Sequence, residues 1–79
     1  MAEGPALVAR AILKIREVEA LLQKAARSFE TARDPAALDA AEELAARAAE
    51  TAAEAHHAAS LFAGLVKTET AVRRRRTLW

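Results

Sequence analysis

Residues 35–66, PAALDAAEELAARAAETAAEAHHAASLFAGLV, decide the fold. Leu38, Ala41, Ala45, Ala48, Ala52, Ala55, Ala59, Phe62 and Val66 recur at alternating steps of three and four. That spacing is the apolar seam of one long helix. Its middle is almost all alanine, a strong helix former with a very small side chain. A second helix can therefore come close there, or insert larger side chains.

Upstream, residues 6–32 contain no glycine or proline. Leu7, Ala11, Ile15, Val18, Leu22, Ala25, Phe29 and Ala32 fall on one stripe, widened by Val8, Ile12 and Leu21. Gly4-Pro5 opens this first helix, because proline at the first helical position has its φ preset and loses no needed donor. The first seam is bulky where the second is small, so the two are complementary in volume.

Between them stands Arg33-Asp34-Pro35. A residue before proline is disfavoured in the helical region, which stops the first helix near Arg33. Asp34 is placed to cap the next helix, with Pro35 at its first position. A connection this short makes the helices antiparallel neighbours. The expected fold is all-α: an antiparallel helical hairpin with a long second helix, assembling into an oligomeric helical bundle. One domain covers residues 1–79, with helix 1 at about 5–32, the turn at 33–35 and helix 2 at about 35–76.

The second helix would be about 60 Å long against about 40 Å for the first, so its last ~14 residues overhang. At 100° per residue, Glu43, Arg47, Glu50 and Glu54 lie opposite the alanine seam and form the solvent face. Further along, the same stripe becomes Leu61, Leu65 and Val72. Leu13 lies off the main stripe of the first helix at a similar height. These features predict a second packing surface, an oligomer interface of Leu13, Leu61, Phe62, Leu65, Val66 and Val72. Gly64 reads as an ordinary helical glycine, a point of close helix approach or a bend.

Composition narrows the function classes. A chain of 79 residues, 53% hydrophobic but rich in alanine and only 4% aromatic, has a marginal core of its own. Without cysteine it has no disulfide or thiolate metal site, a pattern that fits a reducing compartment. A net charge of +1 gives no global field for nucleic acid or a membrane. No signal-peptide pattern follows Met1, and no segment has the ~18 consecutive apolar residues that span a bilayer. The expectation is a soluble protein, cytoplasmic if natural or made recombinantly.

Candidate chemistry is sparse. Glu54 and His57 form Glu-x-x-His, whose two side chains point the same way on a helix and can share a metal. At these residues, and in its hairpin plan, the chain resembles the encapsulated ferritin-like proteins. That resemblance implies a di-iron, iron-oxidising site between subunits, with a glutamate such as Glu17 as third ligand. The seam geometry turns Glu54 and His57 outward, so our reading places no metal on them.

His56 sits nearer the seam edge, as a boundary histidine, a haem ligand or a group titrating at an interface. Ser28, Ser60 and the threonines have no base and oxyanion-hole arrangement, and no glycine-rich phosphate loop exists. Arg73–Arg76 form a basic run that complements a helix C-terminus, with Glu69 placed to pair with Arg73 at (i, i+4). Leu78-Trp79 is a frayed tail or an apolar anchor.

Two long helices, a minimal Asp-Pro connection and alanine at nearly every small core position make the segment from Asp34 to Arg47 resemble computationally designed helical proteins. That resemblance implies an idealised homo-oligomer without catalytic activity. The expected function is self-assembly with copies of itself, as a dimer or a small cyclic ring. No cofactor, nucleic acid or membrane is expected. The alternatives are a natural hairpin that binds another protein and the ferritin-like di-metal oxidase.

Overall fold

The computed structural model describes residues 3–78, with side chains to Thr77; Met1, Ala2, Trp79 and the Leu78 side chain lie outside that description, and with them the tail-or-anchor question. Two helices make up the described chain: α1, Glu3–Glu30, and α2, Pro35–Leu78. No strand occurs among the described residues. The two helices lie against each other as a hairpin-like rod of 68 × 16 × 14 Å.

The connection follows the local chemistry of its residues. Helix α1 ends two residues before the expected 32. There the Thr31 amide and the Thr31 hydroxyl both donate to the Arg27 carbonyl, at 3.1 and 2.8 Å. Ala32 N–H donates to Phe29 O at 3.3 Å, tightening the last turn. Asp34 caps α2 as its side chain allows: Oδ1 accepts the Ala37 N–H at 2.9 Å. Pro35 takes the first helical position, where its missing donor costs nothing.

Among the described residues the buried side chains are all alanine: Ala11 and Ala25 on α1, Ala41, Ala48, Ala55 and Ala58 on α2. Half-buried residues complete the pattern. Gly4, Val8, Glu69 and Thr70 are half-buried, and in step with the buried alanines so are Leu7, Lys14, Val18, Leu21 and Ser28 on α1, Ala32 just beyond it, and Ala37, Leu44, Thr51, Phe62 and Leu65 on α2. The steps again alternate between three and four, as in a coiled-coil seam.

This seam corrects the expected one. Each helix keeps one of its two expected rows: Ala11, Val18, Ala25 and Ala32 on α1, Ala41, Ala48, Ala55 and Phe62 on α2. The other row moves out. Ile15, Leu22 and Phe29, and Leu38, Ala45, Ala52, Ala59 and Val66, are exposed. Lys14, Leu21 and Ser28, and Leu44, Thr51, Ala58 and Leu65, take their places. Both helices are thus turned by about 50° from the expected orientation. Two polar members of the new row, Lys14 and Thr51, tolerate the seam for definite reasons. Lys14 buries its stem and keeps its ammonium on a carboxylate, and Thr51 donates its hydroxyl to the Arg47 carbonyl at 2.9 Å.

Gly64 lies within the continuous helix α2, with open space beside it in the single chain: a Cβ built there meets nothing within 4 Å. Gly4 lies beside Phe62, whose Cε1 would sit 3.7 Å from an added Cβ, an ordinary contact. At 44 residues to 28, α2 extends well beyond the end of α1 marked by Gly4 and Phe62.

Candidate functional site: an open apolar face

Rotation of both helices leaves several bulky residues on one side of the rod, while Leu13 and Leu61 are exposed elsewhere. Phe29 is 68% exposed, Ile15 56%, Leu22 50%, Leu38 47% and Val66 46%. Leu22, Phe29, Leu38 and Ala45 line one shallow groove between the helices. Ile15, Ala52, His56 and Ala59 line its continuation. Both stretches run along the same side of the seam: Ile15, Leu22, Phe29, Ala45, Ala52 and Ala59 each sit four positions after a seam alanine or valine, and Leu38 sits one heptad before Ala45. Glu42 is the charged residue lining the first stretch, at its rim. His56 also lies at the rim, with its Nε2 3.5 Å from Ser60 Oγ.

The opposite side is built differently. Lys14 Nζ lies 2.8 Å from Glu54 Oε2 across the two helices, and 3.6 Å from Glu17 Oε2. The hydrogen bond to Glu54 raises Lys14 above the ordinary lysine value, against the lowering effect of its partial desolvation. The same bond holds the Glu54 carboxyl below the ordinary value, helped by the charges of Lys14 and Arg10. Glu54 was expected on the solvent face; it instead flanks the seam, because the rotation of α2 carries it toward α1.

This pairing bears on the metal question. Glu54 and His57 line one depression with Leu7, Arg10 and Leu61. The carboxylates of Glu54 and Glu17 share the Lys14 ammonium, a cation already in place between them. Among the described residues no three or more His, Cys, Asp or Glu side chains gather as metal ligands would.

The six residues expected at an oligomer interface do not share a face. Val66 lies on the open apolar side. Phe62 and Leu65 are half-buried in the seam. Leu61 is exposed on the Lys14 side, beside Glu3, Leu7 and Arg10. Leu13 points away from the seam, and Val72 lies on the extension of α2, both exposed. Ile15, Leu22, Phe29 and Leu38, which the sequence reading does not place on an exposed face, are the large apolar residues that line the open side. Their assignment to the hairpin's own seam concealed them.

The extension of α2 carries its own charge. Residues 67–79 hold Lys67 and Arg73–Arg76 against Glu69, a net of +4; the other 66 residues hold seven basic and ten acidic side chains, a net of −3. Arg73 Nε donates to Glu69 Oε1 at 3.2 Å, the pairing expected for that spacing. Among the described residues no helix is long and apolar enough to cross a membrane. No protein-family model, curated protein or solved structure matches this chain.

Proposed function

We propose that this chain is a self-assembling helical structural protein: an antiparallel hairpin that pairs with a second copy through its open apolar face. The antiparallel course rests on which residues meet, early α1 with late α2 at Gly4 and Phe62, and mid-helix residues at Lys14 and Glu54. The one-sided exposure of Ile15, Leu22, Phe29, Leu38 and Val66 carries the reading. A core of six buried alanines removes little large apolar surface from water. Ordering each residue costs roughly 1–2 kcal/mol of backbone freedom, so the hairpin needs a further source of burial.

The size of the face supports a second copy as its occupant. From the level of Leu38 to that of Val66 is about 42 Å of helix, and the rod is 16 Å wide. Pairing two such faces covers an area on the order of the roughly 1,200–2,000 Å² of specific protein interfaces. Closed symmetry hides a repeated apolar patch, since each copy supplies the complement of the other. The reading assigns the chain no catalytic role, and the idealised style of the Asp34–Arg47 segment fits it.

Light scattering on the chromatographed protein tests the proposal. The expected mass is twice the 8.5 kDa of one chain; a larger closed number would indicate a ring. A compact, cooperatively folding monomer at micromolar concentration would overturn it. The face would then belong to a hairpin that docks on a different protein.

A further inference from the structure

The open face has two rows of unlike size. Helix α1 contributes Val8, Ile15, Leu22 and Phe29; α2 contributes Leu38, Ala45, Ala52, Ala59 and Val66. Contacts across the hairpin fix their levels along the rod. With Lys14 beside Glu54 and Gly4 beside Phe62, Val8 is level with Ala59, Ile15 with Ala52, Leu22 with Ala45, and Phe29 with Leu38. At three of these four levels a large side chain on α1 stands across from an alanine on α2.

Two copies can meet face to face about two kinds of two-fold axis. An axis lying across the rod sets α1 on α1 and α2 on α2. Bulky rows then oppose each other along one edge, and alanine rows along the other. Interaxial distance follows the side chains at the contact, from about 8 to about 10 Å, so that arrangement splays one pair of helices while the other closes. An axis running along the rod sets each α1 on the partner's α2 at the same level. Leu22 then falls on the partner's Ala45 and Ile15 on the partner's Ala52. Large opposes small at successive layers, the condition for even spacing and interdigitation.

Granted the pairing of two copies argued above, we infer that their two-fold axis runs parallel to the hairpin, so that the bulky row of each α1 seats on the alanine row of the partner's α2. Both Arg73–Arg76 segments then emerge at one end of the four-helix rod and both connections at the other.

The chain has no cysteine, so single introduced thiols report contacts without background. Chains carrying Leu22→Cys and Ala45→Cys, one tagged for size, are mixed, exchanged and treated with a short thiol-reactive linker. The expected result is a mixed cross-linked product severalfold above either self-linked product, with Ala52→Cys alone left unlinked. Efficient self-linking of Ala52→Cys with no mixed product would overturn the arrangement in favour of the crosswise axis. A two-chain mass with neither product would overturn it in favour of a different face. A one-chain mass for the unmodified protein would remove the pairing itself, so the two readings fail by different observations.

Discussion

On one broad side of the hairpin Lys14, Glu17 and Glu54 answer one another across the two helices. On the other, Ile15, Leu22, Phe29 and Leu38 face water. The same seam separates both sides. The charged side closes on itself: an ammonium on α1 meets a carboxylate on α2, and nothing further is needed to satisfy either. The apolar side offers no internal partner, since the groove between its rows is shallow and the α2 row is mostly alanine. The contrast teaches that the two sides of one seam can differ in how far they are satisfied: four large side chains on the apolar side lie where the facing helix does not cover them, against Leu61 on the charged side.

The strongest way to break the contrast is to charge the open side. Leu22→Glu with Phe29→Glu should reduce the assembly to single chains, and most of the helical circular-dichroism signal should go with it. A double variant that keeps both mass and helicity would sink the proposed interface.

A smaller effect separates the seam from the face. Ala48 is 2% exposed, among the most buried side chains of the seam, and Ala48→Leu should cost about 1–3 kcal/mol by overpacking. Ala52 is exposed in the single hairpin. Ala52→Leu should therefore disturb only the paired form, lowering the unfolding midpoint more at high protein concentration than at low. Equal effects of the two substitutions at every concentration would place both alanines in one environment and contradict the seam described above.

Leu61→Glu adds a charge on the side that already holds them, and should leave the two-chain mass intact with a minor loss of stability. Dissociation by that change alone would move the interface to the Lys14 side.

The gentlest perturbation is pH. Glu54 has a lowered pKa, so its contribution to stability is present above its unfolded value and fades as pH falls through the folded one. Lys14 has a raised pKa, so its share is present below the ordinary lysine value and is lost as pH rises through the folded one. The pair is solvent-exposed enough that salt should blunt both changes. Thermal unfolding at acid pH in low and high salt, with Glu54→Gln as control, should show a small acid loss that the variant lacks.

How much of this was legible in the sequence differs by residue. The helices, the Asp34 cap and one row of each seam follow from spacing alone. The second rows were misplaced because an apolar criterion prefers Ile15 to Lys14, Phe29 to Ser28 and Ala52 to Thr51. In a close-packed hairpin size matters as much as polarity, and a lysine can lie along the seam if its head finds a carboxylate. That signal was present. A short connection at Arg33-Asp34 brings Lys14 level with Glu54, opposite charges on facing helices. Taking it into account would have oriented both helices and exposed the true open face. The same pairing places the Glu54 carboxylate on the Lys14 ammonium, at 2.8 Å.

The rod itself, 68 Å long and 16 × 14 Å across, has a consequence for how the molecule moves. An elongated body meets most of its rotational friction in end-over-end tumbling, which depends steeply on length and weakly on thickness. Two rods joined side by side thicken without lengthening. Their slow reorientation should therefore stay near that of one rod, while the scattering cross-section doubles. Copies joined tip to tip would instead tumble several times more slowly with the cross-section unchanged. Fluorescence depolarisation and small-angle scattering on the same sample thus distinguish side-by-side from tip-to-tip growth without any substitution in the chain.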